Sequence, residues 1–457
     1  MYGVSRGLAA AVLLGCAAAS GGAGAQSLED TLVKAYQNNP SLKADRARLR
    51  ATDESVPQAI SSWRPTVSLS GAVGHEVNDT TSTSAPKSAD VTDPRSATLS
   101  ITQNLYRGGR TEAAIEQAER NVEADRARLG ATEQTVLLSA ATAFANVVRD
   151  QAVLDLNTNN ERVLQRQLEA TGDRFRVGEV TRTDVSQAES RLARARADRI
   201  SAEGSLADSR ASYENVVGEK PPVLKPAAPL SGLPPTLEGA VDAAHSSNFT
   251  VRQARAVEDA AKSNVDLVSG ELLPTVSLTG ELGTSREAAT RFSETDSATI
   301  TANVSIPLYS SGSVSARVRA AKETVSQRRD EYNQSVRDAI ETTTSAWQAL
   351  KTARAQINAF SSAVSATRIA LEGVREEANV GSRTVLDVLD AEQEHLDAQV
   401  GLVRAQRDEL VASFQLRQAI GELTAAKLGL PVEVYDVEKH YKDVRGKWWG
   451  LETSGGQ

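Results

Sequence analysis

One cysteine in 457 residues excludes a disulfide framework and any zinc site built on cysteine thiolates. Four scattered histidines leave few catalytic constellations open, and no glycine-rich loop with a phosphate-binding lysine occurs. Aromatic residues are only 4% and hydrophobic residues 40% of the chain. That is thin for one large globular core and suits elongated helices packed through alanine. Lys and Arg number 51 against 59 Asp and Glu, a net charge of −8, the wrong sign for a nucleic-acid partner. Beyond the N-terminus no stretch reaches the roughly 18 apolar residues of a transmembrane helix. If the mature chain enters a membrane, it does so as strands. Proline is missing from 95 to 220 and again from 308 to 430, gaps that favour long helices.

What is present begins with a processing segment. Arg6 is followed by an apolar stretch from Leu8 to Ala19, and Ala23-Gly24-Ala25 stands before Gln26, the pattern of a secretory signal peptide over 1–25. A rival reading takes Leu13-Leu14-Gly15-Cys16 as a lipobox with Cys16 as a lipidated N-terminus. Six of the fourteen prolines fall within 219–236, which reads as an extended linker. The halves on either side repeat one another. Pro65-Thr66-Val67-Ser68-Leu69-Ser70-Gly71 returns as Pro274-Thr275-Val276-Ser277-Leu278-Thr279-Gly280, a shift of 209. Leu105-Tyr106, Val177-Gly178 and Gly218-Glu219 return at 308, 380 and 421, a shift of 203. The expected organisation is a first repeat at 26–218, the linker at 219–236, a second repeat at 237–423 and a tail at 424–457.

Each repeat changes its hydrophobic period. Val67, Leu69, Gly71 and Val73 alternate with Ser68, Ser70, Ala72 and Gly74, and Ala97, Leu99 and Ile101 alternate with Ser96, Thr98 and Ser100. Val276, Leu278 and Leu282 repeat the pattern, as do Ile300, Ala302, Val304 and Ile306. Four strands with one apolar and one hydroxyl-rich face are the pattern of a transmembrane barrel with a wet lumen. Half-buried hairpins of a soluble sheet share that alternation. Trp63, Tyr106 and Tyr309, where the strands meet the helical side, match an interfacial aromatic belt and favour the barrel. The opposite connections, 75–95 and 283–297, are rich in Ser, Thr and Asp and read as external loops. Four strands are too few to close a barrel, so closure requires several subunits.

The helical stretches are long: 111–172 and 313–378, each turning back at Val-Gly into 183–217 or 384–421. Ile115, Val122, Leu129 and Val136 form a stripe at spacing seven. The shorter stretches at 41–60 and 249–270 would stack end to end with the returning helices beside the long ones.

These features resemble the TolC family of outer-membrane exit ducts over the whole mature length. The resemblance is carried by the duplicated Pro-Thr-Val-Ser-Leu strands, the Leu-Tyr-x-x-Gly exits at 105–109 and 308–312, and the tips Phe175-Arg176-Val177-Gly178 and Asn379-Val380-Gly381. The segment Arg383-Thr384-Val385-Leu386-Asp387-Val388-Leu389-Asp390 is similar to the family's aperture, and His440-Tyr441 through Lys447-Trp448 resembles the type I secretion branch. The resemblance implies a mainly α fold with transmembrane β: a homotrimer whose twelve-stranded β-barrel, four strands per chain, continues into a periplasmic α-helical barrel. It implies an outer-membrane exit duct for protein secretion or small-molecule efflux, working with a periplasmic adaptor and an inner-membrane ABC or other pump. No cofactor or metal is implied.

By the same resemblance Asp387 and Asp390 match acidic rings at the periplasmic aperture. Arg383 matches a tether to Thr183 and Asp184 of the neighbouring hairpin. The tips Val177, Gly178, Glu179, Val380, Gly381 and Ser382 match adaptor-docking positions. Glu179 and Ser382 depart from the family's Val-Gly-Leu, and Ala378 replaces an expected tether tyrosine. Residues 387 and 390 share a helix face on spacing alone, and the bland alternative is a solvated face. Glu392-x-x-His395 resembles half of a di-iron site, which needs a second copy that the sequence lacks. The competing non-enzyme class is a periplasmic adaptor or structural coiled-coil protein.

Overall fold

The computed structural model describes residues 26–82 and 85–453. The signal-peptide segment and Cys16 lie outside the described residues. The first repeat runs α1 (Leu28–Asn38), α2 (Pro40–Asp53), α3 (Ser55–Ile60), β1 (Thr66–Val73), β2 (Glu76–Ser82), β3 (Ala85–Thr92), β4 (Arg95–Tyr106), α4 (Arg110–Arg176) and α5 (Arg182–Val217). The second runs α6 (Leu237–Ser247), α7 (Phe249–Ser269), β5 (Thr275–Arg286), β6 (Glu294–Ser305), α8 (Ser313–Asn379) and α9 (Val385–Ala419). Short helices α10 (Ala425–Leu428) and α11 (Lys439–Arg445) follow. Among the described residues no helix is long and apolar enough to cross a membrane.

The main sheet is antiparallel in the order β1-β4-β5-β6. Its register aligns Leu69, Leu99, Leu282 and Ala298 across all four strands, and likewise Val67, Ile101, Gly280 and Ile300. Side chains directly opposite one another in a ladder share a face. One face is therefore continuously apolar, and Leu69 and Ile300 are 76% and 81% exposed on it. The other carries the rows Thr66, Thr102, Thr279, Thr301 and Ser68, Ser100, Glu281, Thr299.

Helices α4 and α8 each have 67 residues, about 100 Å of helix. Helix α4 packs against α2 along its first half and α5 along its second. Thr52 Oγ1 donates to Asp125 and Thr132 Oγ1 to Asp45, each at 2.5 Å, whereas Arg199 Nε donates to Glu161 at 2.6 Å and Ser209 to Asp150. Helices α7 and α9 pack against α4 and also against α8. The row of helices thus repeats the strand order, each strand running into or out of the helix beneath it, as a wall one layer thick. Gly130, in the first third of α4, receives the Phe249 ring of α7 so closely that a Cβ would lie 2.3 Å from it. Of the heptad stripe, Val122, Leu129 and Val136 are buried.

End-to-end stacking is made by a duplicated asparagine. Asn39 accepts from Ser41 N–H to cap α2 and donates Nδ2 to the Val216 carbonyl near the end of α5, 3.1 Å away. Asn248, 209 residues on, caps α7 through Thr250 and Val251 and donates to the last carbonyl of α9, Ala419, at 2.9 Å. One side chain thereby satisfies orphan groups of two helix ends. The widest core lies at this level, where Leu42, Leu137, Phe414 and Leu423 are fully buried. Burying a residue of that size contributes about 2–3 kcal/mol. Residues 219–236 cross the wall in extended form: Gln26 N–H donates to Val223, and Leu230 N–H to Ser413 Oγ at 3.1 Å.

Three expectations are corrected. The connection 75–95 is not an irregular loop, because β2 and β3 pair as a separate two-stranded sheet, with Val77 opposite Val91. The connection 283–297 shrinks to 287–293, because Arg286 pairs with Glu294 and, at 3.0 Å, with Asp296, extending the hairpin beyond its apolar part. Residues 41–60 break at Glu54 into two helices. Pro57 has no N–H to donate and is tolerated only in a first turn.

Candidate functional site

Chemistry concentrates at the two ends of the wall. At the far end from the sheet, both hairpins turn through the same backbone geometry. Gly178 and Gly381 have φ of +81° and +79°, a region closed to most side chains. Glu179 N–H donates to Arg174 O and Ser382 N–H to Glu377 O, both at 2.9 Å, closing Schellman turns on α4 and α8. Val177 and Val380 are left 72% and 81% exposed at the two tips.

The returning helices start with the same device. Thr181 opens α5 and Thr384 opens α9, each hydroxyl accepting from the amide three residues on, at Asp184 and Asp387. The aspartates answer reciprocally: Asp387 Oδ2 accepts from the N–H and hydroxyl of Thr384 at 2.9 and 2.8 Å. Asp184 Oδ2 does so from Thr181, both at 2.8 Å. These are capping boxes with aspartate in the acidic position. The Thr384 amide first, then its hydroxyl, hold the Asp387 carboxyl below the usual carboxylate range.

Val385, Val388 and Leu389 turn inward, Val385 and Leu389 against Leu164, Ala188 and Leu192, so Asp387 and Asp390 lie on the less covered side of α9. Asp390 is not free there. Arg191 of α5 reaches it with an N–O distance of 2.5 Å, linking the two returning helices within one chain. Arg383 donates Nε to Glu377 Oε2 at 2.8 Å, within its own hairpin. Thr183 is exposed, Asp184 closes its own capping box, and neither is an intrachain partner of Arg383. Sequence reasoning missed Arg191 and Glu377. The local signal present, the Thr-x-x-Asp pairs at 181–184 and 384–387, announces the helix caps and not these two ion pairs. The Glu392-x-x-His395 motif is absorbed by packing: Glu392 pairs with Arg375, and the His395 ring nitrogens lie 3.0 Å from Thr367 Oγ1 and 3.1 Å from Gln399 Nε2.

At the sheet end, Trp63 precedes β1, Tyr106 ends β4 and Tyr309 follows β6, all on the helical side of the sheet. Trp63 is half-buried, its carbonyl accepting from Gln103 Nε2 at 2.8 Å, whereas Tyr106 and Tyr309 are 42% and 85% exposed.

Comparison with known proteins agrees with this geometry. The profile of the family described as "Outer membrane efflux protein" matches residues 31–219 and 240–422. The chain is 36% identical over 455 residues to the outer membrane efflux protein BepC of Brucella suis biovar 1, covering 98% of this chain and 97% of that one. It is 28% identical to the outer membrane protein TolC of Vibrio cholerae, covering 88% and 92%. The solved structure of the Campylobacter jejuni CmeC outer membrane channel superposes with a TM-score of 0.78 at 16% identity, covering 92% of this chain and 89% of that one. A sheet with one apolar face, continuous with helices about 100 Å long, defines the class. It is that of an outer-membrane channel-tunnel that extends into the periplasm, and not of an enzyme. The chain belongs to the outer membrane efflux protein family, the family of the TolC proteins.

Proposed function

We propose that three copies of this chain close into one duct, a twelve-stranded barrel over a helical tunnel, and that this duct is the exit of a tripartite export system. The observation that carries the reading is the pair of open edges. Among the described residues β1 and β6 each lack a second neighbour in the main sheet, and α8 leaves much of its length exposed on the side away from α7 and α9. An unpaired strand edge in a membrane has no water to satisfy it, so the sheet must close on further copies. In this reading the mature chain starts near Gln26, and the repeats 26–218 and 237–423 are joined by the linker 219–236 and followed by the tail 424–457. The purified protein is expected to run in detergent as a trimer by light scattering, with the detergent mass subtracted. A monodisperse water-soluble monomer contradicts the reading.

The exposed tips, Val177-Gly178-Glu179 and Val380-Gly381-Ser382, are where a periplasmic adaptor docks, and an inner-membrane pump, ABC-type or other, feeds the tunnel. The similarity to an efflux protein along nearly the whole chain supports small-molecule cargo. The tail from His440 to Trp448, with its resemblance to the secretion branch, supports protein cargo as a second reading.

Gating belongs to the same proposal. Arg383 exchanges its intrachain partner Glu377 for Thr183 and Asp184 of the adjacent subunit, holding the tips together. Charge-assisted contacts are the stronger class of hydrogen bond, and threefold repetition makes their loss felt around the ring. Arg383→Ser is expected to raise single-channel conductance in planar bilayers without dissociating trimers. Unchanged conductance removes the tether assignment.

A further inference from the structure

The C-terminal tail returns to the foot of the membrane sheet. Helix α11 is rooted by Val444, 1% exposed, and by His440, whose Nδ1 lies 3.0 Å from the buried Asp53 carboxylate at the end of α2. Tyr441 and Arg445 both reach Glu119 of α4, at 3.1 and 3.0 Å. Beyond this root the chain is led to the start of β1: Arg64 donates to the Lys447 carbonyl at 2.6 Å, and its guanidinium stacks 4.7 Å over the Trp448 ring. Arg64 stands two residues before the first strand residue, Thr66.

What the root presents is costly in water. Trp448 is 63% exposed, Trp449 87% and Leu451 fully exposed, beside Lys447. Among the described residues the fold engages these apolar side chains only through the Arg64 stack on Trp448, and it anchors the segment at the backbone of Lys447, whose N–H donates to Val444 and whose carbonyl accepts from Arg64.

We propose that Lys447-Trp448-Trp449-Gly450-Leu451 is a membrane foot that inserts into the phospholipid headgroup and acyl boundary of the periplasmic leaflet. The inference rests on the membrane placement of the β1-β4-β5-β6 sheet and extends it to a segment outside the sheet. Three observations favour lipid. The Arg64–Lys447 bond sets the segment beside the start of β1, at the level of Trp63, where the strands meet the helices and the apolar sheet face begins. Tryptophan is the side chain most suited to the interface, with an apolar body and one N–H donor. The neighbouring lysine supplies the cation that such segments place among phosphates. A foot outside the barrel resists tilting of the tunnel in a way that an aromatic belt on the strands alone does not.

The test uses the full-length assembled protein in vesicles of phosphatidylethanolamine and phosphatidylglycerol. The chain has four tryptophans. In a Trp63→Phe/Trp347→Phe background the emission reports only Trp448 and Trp449. Expected is strong quenching by lipids brominated near the glycerol end of the acyl chain, weaker quenching by bromines near the methyl end, and protection from aqueous iodide. Quenching by iodide and not by bromolipid overturns the proposal. So does shielding from both, which would mean that a neighbouring copy covers the segment. If the background variant does not assemble, the same signal is read as the difference between wild type and Trp448→Phe/Trp449→Phe. Ile300→Trp, on the apolar sheet face, separates the two readings. If it is quenched by bromolipid while the tail is not, the foot fails and the sheet placement stands.

Discussion

Asp387→Asn/Asp390→Asn channels in planar bilayers are expected to require roughly ten times or more the concentration of a trivalent hexammine cation for half-block from the periplasmic side. In the proposed trimer three subunits would bring six of these carboxylates to one constriction, where binding a multivalent cation would relieve their mutual repulsion. Each carboxylate already has a partner, Asp387 in its capping box and Asp390 with Arg191, so the cation competes with a fixed dipole and a fixed charge. Asparagine is the informative replacement at 387, since its carbonyl oxygen still accepts from Thr384 and the helix start is kept. The pH dependence has a definite sign. Within one chain Thr384 holds the Asp387 carboxyl below its ordinary range, so its cap contribution is fully present above the unfolded carboxylate value of about 3.9 and is lost as pH falls through the lowered folded value. Neutralising Glu281 on the sheet is expected to change block far less. Equal sensitivity of the double variant and wild type would place the constriction elsewhere.

Gly421→Ala is expected to destabilise the assembly far more than the equivalent change in the first repeat, Gly218→Ala. Both glycines have positive φ, +78° and +88°, so alanine at either costs about 1–2 kcal/mol of backbone strain. Their surroundings differ. A Cβ on Gly218 would meet only Asn38 Cβ at 3.8 Å, an ordinary contact. A Cβ on Gly421 would lie 2.2 Å from the Ser247 carbonyl oxygen and 2.8 Å from Asn248 N, which is backbone and cannot swing aside. The displaced residue is the asparagine that joins α9 to α7, so the clash spreads to the cap and the clamp together. The total at Gly421 is expected to exceed about 4 kcal/mol, the range in which a single change is diagnostic. Heat dissociation of the proposed trimer in detergent, compared at one scan rate, reads the difference. Similar midpoints for the two variants would show that the second junction is looser than its geometry indicates.

The duplication supplies the reason that so much was legible beforehand. Proline gaps and a period-two alternation are local signals, and each appears twice. The long helices were expected at 111–172 and 313–378 and run Arg110–Arg176 and Ser313–Asn379. The candidate aperture was legible only as positions. Asp387 was found by resemblance, but its capping of α9 depends on the ψ of Thr384 and on which way its side chain turns. Arg191 is 199 residues from Asp390, and no local pattern announces that pair.

By itself the sequence determined the four strands and which face of each is apolar, because side-chain alternation in a pleated strand is set residue by residue. It also determined the two long helical hairpins with their Val-Gly tips, because proline and glycine act on their own backbone. Only the tertiary structure decided the order β1-β4-β5-β6, the Asn39 and Asn248 junctions, the Arg191–Asp390 pair and the docking of the C-terminal tail beneath β1. Each of these joins groups far apart in the chain. Such contacts form only when packing of the whole wall has offset the entropy of bringing them together, and that sum is not written in any one segment.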